Sequence, residues 1–390
     1  MQLLICLLFY FHQVLGGNPT NPDVWAELLG KAQAGSPLQE PAAPGNPSDK
    51  AGPKDPQKDT APKIKGIYVT AYSAGGSSKW PALLELVDKT ELNAMVIDIK
   101  DDRGYITYLS DHPELAAMGS SQKFIPDIHK LMQTLNEHDI YPIARIVVFK
   151  DSVLANKRHD WTFLNSDGSV WQNSRKESFV NPYIEEVWDY NILVAKEAAR
   201  LGFKEIQFDY VRFPEGFEKR ADTLKYFKTE QSRVDIVAGF VQKALKELEP
   251  LGVRVSVDIF GYAASVPAAE GIGQDFLKIS ESVHVISPMV YPSHYSTGWF
   301  NLKDPDKAPY ETIKGAMNDT LKKLEPLGDA RPIIRPWIQD FTASWLGKGH
   351  YIPYGRAEVE AQIRALKESG IDEYLIWNPS NRYTAGVKYE

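Results

Sequence analysis

Acidic side chains recur near the ends of apolar runs in this chain, and they keep a strict period of two. In Glu205-Ile206-Gln207-Phe208-Asp209, Ile206 and Phe208 alternate with Gln207 and Asp209. In Arg254-Val255-Ser256-Val257-Asp258, the valines alternate with Ser256 and Asp258. Asp98 and Lys100 share a face with Val96 in Met95–Lys100, and Arg145 interrupts Ile143–Phe149 in the same way. Successive strand side chains point to opposite faces, so these polar groups are expected to converge on one interior. A buried carboxylate must be paired, solvated or neutral. Two neighbouring carboxylates push their proton affinities apart, so that one can act as an acid while the other stays ionised. Asp209 and Asp258, on adjacent strands about 4.8 Å apart, are therefore the candidate catalytic pair, with Asp98 tuning them. The plainer alternative is that these aspartates pair with Arg145, Arg212 or Lys100 and only organise the fold.

Aromatic residues give a second signal. Four of the nine tryptophans, Trp299, Trp337, Trp345 and Trp377, fall in strand ends or loops of the C-terminal third, and Tyr72, Tyr291, Tyr295 and Tyr383 are expected at the same end. Aromatic faces stack on the apolar faces of sugar rings, while polar side chains bind hydroxyls. The expected ligand is therefore a polysaccharide or oligosaccharide, held by Asp98, Lys100, Asp101, Arg145, Arg212, Tyr291, His294, Trp337, Gln339, Asp340, Trp377 and Asn378. Other chemistries lack their motifs. No phosphate-cradling glycine loop follows a strand, no His-Glu-x-x-His occurs, and no Gly-x-Ser-x-Gly elbow is present. No nucleotide cofactor and no other cofactor is expected.

These side chains need a scaffold that brings strand ends together. From residue 64 onward, short β-branched runs alternate with longer amphipathic stretches, the pattern of a parallel α/β sheet. The runs cover 64–70, 94–99, 141–149, 205–208, 254–259, 284–290, 332–338 and 373–377. Gly202, Gly252, Gly328 and Gly370 each precede a run, where a left-handed residue would end a helix. Eight such units within residues 64–390 predict a single (β/α)8 barrel, whose C-terminal strand ends carry the chemistry. A doubly wound sheet is the alternative, and the count of eight favours closure.

The rest of the chain reads differently. Residues 1–17 contain the apolar run Leu3–Phe11, too short to span a bilayer, followed by small residues, which suggests an export signal although no basic residue precedes it. Residues 18–63 are read as a linker, and seven prolines between Ser36 and Lys63 predict an extended, disordered tether. Export with a membrane or wall association through the N-terminus is the expected location. With 44 basic and 51 acidic residues, a charge of -7 gives no footprint for nucleic acid. The single Cys6 rules out an intramolecular disulfide and a thiol nucleophile in the barrel.

The run Phe208-Asp209-Tyr210-Val211-Arg212-Phe213-Pro214 resembles a bacterial family described as a "putative glycosyl hydrolase domain". Supporting marks are Lys65–Thr70, Asp98-Ile99-Lys100-Asp101-Asp102-Arg103-Gly104, Val257–Gly261 and Trp377-Asn378-Pro379, so the resemblance covers residues 64–390. It implies a TIM-barrel glycosidase in which Asp209 matches the strand 4 carboxylate treated as catalytic. Chitinase-like barrels carry a glutamate two residues later, where this chain has Val211. The expected activity is glycoside hydrolysis, with Asp209 as nucleophile or base and Asp258 as general acid. Two alternatives stand beside it: a non-catalytic glycan-binding barrel, and a divalent-metal enzyme using Asp98, Asp101 and Asp209.

Overall fold

A computed structural model describes residues 52–58 and 60–390. The apolar segment 1–17, Cys6 and most of the expected tether lie outside the described residues. Among the described residues, nine strands form one parallel sheet: β1 (Lys65–Val69), β2 (Ala94–Lys100), β3 (Tyr141–Val147), β4 (Glu205–Asp209), β5 (Arg254–Phe260), β6 (Val285–Met289), β7 (Ile333–Ile334), β8 (Trp337–Gln339) and β9 (Tyr374–Trp377). The order runs from β5 back to β1, then through β9 and β8 to β6, and β5 also pairs with β6. The sheet therefore closes on itself. Short β7 and β8 occupy one barrel position, split at Arg335-Pro336 because proline has no N–H for the ladder. The molecule is a (β/α)8 barrel.

Strand alternation sorts the core into two parts. Val96, Ile143, Leu375 and Trp337 fill the lumen with Tyr68 and Trp377. Ile97, Ala144, Phe208, Val257 and Ile376 face outward against the helices. Helices 185–201, 233–248, 309–324 and 356–367 form the outer layer on their apolar stripes. The first of these ends at Gly202, whose φ of 106° lets its N–H reach the carbonyls of Ala198 and Ala199. Among the described residues no helix follows β9; the Tyr389 carbonyl accepts from Lys65 Nζ and the Tyr374 hydroxyl.

The N-terminal face of the barrel is closed by charge. Arg335 donates to both Glu205 oxygens at 2.8 Å and to Glu373 at 2.9 Å, all three being buried. Residues 52–58 lie along this face, where an extended tether through residue 63 was expected. Asp55 forms a two-pronged pair with Arg254, at 2.9 and 2.7 Å. Gln57 accepts from the Tyr141 hydroxyl at 2.7 Å and donates to the Lys204 carbonyl at 2.6 Å. His284 Nε2 sits 2.9 Å from the Lys54 carbonyl. Composition revealed the missing apolar surface of this stretch, but polar contacts with buried partners hold it instead.

Candidate active site

At the C-terminal mouth, the register aligns Phe208 of β4 with Val257 of β5. The next residues, Asp209 and Asp258, consequently stand at one level on neighbouring strands. Both are buried. Arg145 of β3 lies beside them with no exposure. Its Nε and Nη2 donate to Asp209 Oδ2 at 3.0 and 2.5 Å, and its Nη1 donates to Asp98 Oδ1 at 2.7 Å. The Tyr68 hydroxyl donates to the other Asp98 oxygen at 2.6 Å. Asp209 Oδ1 accepts the backbone N–H of Tyr210 at 2.6 Å.

Asp258 is placed differently, because no cation among the described residues pairs with it. Its Oδ1 accepts from Trp337 Nε1 at 2.7 Å. Burial and the adjacent Asp209 push its proton affinity well above the ordinary carboxylate range, and the indole bond offsets only part of this. Burial also lifts the Asp98 carboxyl to about 6, against the opposing pull of Arg145. Asp102 goes the other way: burial raises its affinity, but Lys150 at 2.7 Å and Arg145 outweigh that and hold it low. The mouth therefore holds a carboxylate paired with a cation and, next to it, a carboxyl that favours its proton.

A cavity of about 520 Å³ opens over this pair. Its floor includes Arg145, Asp209, Asp258, Trp337 and Trp377, and its walls come from the loops after β4, β5, β6 and β8. Tyr68 stacks on Trp377 with centroids 4.0 Å apart, and Trp337 meets Trp377 edge-on at 5.4 Å. Arg212, Tyr291, His294, Tyr295 and Trp345 also reach the cavity, so the aromatic signal was in large part a cavity signal. Burial lowers the His294 pKa to about 4, which leaves a neutral imidazole at the wall.

Six residues expected to bind ligand, among them Asp98, which was also expected to tune the pair, do not line the cavity. Asp98 stands behind Arg145, where its role is ion pairing. Lys100 is displaced by a register shift between Asp98 and Lys100, a bulge that breaks the alternation. Its Nζ instead pairs with Asp151 at 2.7 Å, fully buried, and Gly104 leaves the room, since a Cβ there would lie 1.9 Å from Asp151 Oδ1. Asp101 Oδ1 accepts the N–H groups of Arg103, Gly104 and Tyr105, the work of a turn residue. Gln339 accepts from Ser293 and donates to Asp306, Asp340 accepts from Thr384, and Asn378 braces the loop after β9. These polar residues satisfy neighbouring backbone and side chains, and sequence alone could not distinguish that from binding hydroxyls.

The metal set Asp98, Asp101 and Asp209 is not assembled either: Asp101 is turned into its loop, and the Arg145 guanidinium bridges the other two. Among residues not singled out beforehand, Asp102, Lys150 and Tyr210 surround the pair. Tyr210 directly follows Asp209, and Asp102 stands within the Asp98–Gly104 run; both were visible as motif letters without a role.

The arrangement is that of an α/β barrel with a carboxylate-floored, aromatic-walled cavity at the C-terminal strand ends. The chain belongs to the family described as "Putative glycosyl hydrolase domain", whose model matches residues 66–383. No curated protein matches it. Among solved structures it is similar to the PgaB (BpsB) glycoside hydrolase domain from Bordetella bronchiseptica, with 11% identity, a TM-score of 0.55, and coverage of 82% of this chain and 95% of that one. It is also similar to a hypothetical protein from Ruminiclostridium thermocellum ATCC 27405, at 32% identity and a TM-score of 0.45, covering 49% of this chain and 96% of the other. The Bordetella likeness shows the barrel fold.

Proposed function

We propose that the protein is a glycoside hydrolase acting on a polysaccharide or oligosaccharide through Asp209 and Asp258. The observation that carries this reading is the asymmetry of the pair: Asp209 is held by Arg145, whereas burial and Asp209 itself keep a proton on Asp258. In this reading Asp258 gives its proton to the glycosidic oxygen as the bond to the anomeric carbon breaks. Asp209 stabilises the developing positive charge and attacks that carbon. Water then releases the sugar, with Asp258 taking the water's proton. This is the course of a retaining enzyme, which requires the two carboxyl groups to stand about 5–5.5 Å apart, whereas a separation of roughly 6.5–9.5 Å would make the enzyme inverting. Trp377 and Trp337, both at the cavity, supply apolar surface for the ring.

The test is release of reducing ends from bacterial exopolysaccharides, wall glycans and plant glucans, with Asp209→Asn alongside. New ends from wild type alone would support the proposal and name the substrate class. Binding of a polymer without new ends from either protein would make the barrel a glycan-binding module. Export belongs to the same proposal, supported by the apolar run Leu3–Phe11. N-terminal sequencing of the protein recovered from expressing cells would check it.

A further inference from the structure

Both oxygens of Asp209 are held, and both holds lead back to one lysine. We infer that Lys150, together with Asp102, is a positioning residue that locks the Asp209 carboxylate, an inference that rests on the glycosidase reading above.

Lys150 follows β3 and is only 1% exposed. It does not border the cavity, so it acts through its neighbours. Its Nζ lies 2.7 Å from Asp102 Oδ1 and 3.6 Å from Glu177. Asp102 also approaches Arg145, but at 3.4 Å from each Nη. A guanidinium shared among three carboxylates divides its donors among them. Because Lys150 takes the shorter contact with Asp102, Arg145 commits its Nε and Nη2 to Asp209 Oδ2.

The second hold runs through Tyr210. Its φ of 52° is a left-handed conformation that an aromatic residue rarely adopts, and such strain persists only where surroundings impose it. Lys150 Nζ lies 4.0 Å from the centre of the Tyr210 ring, and the Arg212 guanidinium lies 4.7 Å from it. These cation–π contacts fix the ring of the residue whose N–H binds Asp209 Oδ1. One ammonium group thus supports a partner for each oxygen.

The experiment compares Lys150→Met, Lys150→Arg and the double variant Lys150→Met/Asp102→Asn, using the polymer that wild type cleaves in the reducing-end screen. Mutating the partners that orient metal ligands typically costs 10–100-fold, and a loss of about that size is expected for a carboxylate oriented in the same way. Lys150→Met should lower kcat by about that much with KM changed less than about twofold. Lys150→Arg should recover most of the loss. The double variant should recover about tenfold over Lys150→Met, because removing Asp102 returns Arg145 to Asp209; a purely structural ion pair would give no such rescue. Unchanged kcat in folded Lys150→Met, or a double variant no better than the single one, would overturn the inference. If wild type cleaves no polymer, the glycosidase reading fails, and crystal structures of wild type and Lys150→Arg or Lys150→Met decide the positioning claim. Asp209 should swing from Arg145 and the Tyr210 N–H in the methionine variant alone, and an unmoved carboxylate there would refute it.

Discussion

The two ends of the barrel carry the same parts in different proportions. At the N-terminal floor, Arg335 sits between Glu205 and Glu373, and Arg254 is matched by Asp55. At the C-terminal mouth, Arg145 and Lys150 face Asp98, Asp102 and Asp209, while Asp258 forms no ion pair among the described residues and accepts from Trp337 instead. The floor is sealed, by its own side chains and by residues 52–58. The mouth opens into a cavity. An arginine–carboxylate cluster is therefore not a functional signal in itself. What distinguishes the mouth is an uncompensated carboxyl next to a compensated one, with access for a ligand. A buried pair at the floor can only hold the fold together, since desolvation offsets much of its attraction and nothing can reach it.

The sharpest way to break this contrast is at the mouth. Asp209→Asn should lower turnover by more than about a thousandfold and leave the melting temperature within a few degrees, as read by reducing-end assay and thermal scan. At the floor, Arg335→Met should do the reverse. It strands Glu205 and Glu373 without their cation, a loss of about 3–5 kcal/mol in urea unfolding, with unchanged activity per folded molecule. If both substitutions affected stability alone, the mouth would be another structural cluster.

A smaller effect concerns pH. The Asp98 carboxyl, lifted to about 6 by burial, binds its proton more tightly in the folded chain than in the unfolded chain, where the value is about 3.9. Its contribution to stability is therefore full below about pH 4 and is lost as pH rises through about 6. Asp98→Asn, which resembles the protonated form, should match wild type near pH 4 and exceed it by about 2 kcal/mol at pH 7. Urea midpoints across that range check the sign, and a gap that narrows as pH rises would refute it. The smallest effect is expected where the floor meets solvent. Asp55→Ala removes the partner of Arg254 and should cost about 1 kcal/mol, measured by thermal scan, with no change in turnover.

Much of the architecture was legible in the chain. The period of two in Gln207/Asp209 and Ser256/Asp258 set which side chains enter the lumen, because alternation is a property of extended backbone rather than of context. The same rule failed at Lys100, where a bulge after Asp98 turned the side chain into its own pair with Asp151. It failed less visibly at Gln339, Asp340 and Asn378, whose polar atoms are taken by neighbouring backbone and side chains. Segment 52–58 was misread for the opposite reason, since composition reports missing apolar area but not the polar partners that await it.

From the sequence by itself came the barrel, the end of it expected to carry the chemistry, and the candidate pair Asp209 and Asp258. These follow from local periodicity and strand count. Only the tertiary structure decided which carboxylate is compensated, because that depends on Arg145, Asp102 and Lys150 arriving from two other strands and their loops at distances of 2.5–3.4 Å. Charge balance at a site is a sum over neighbours in space, and no spacing along the chain encodes it.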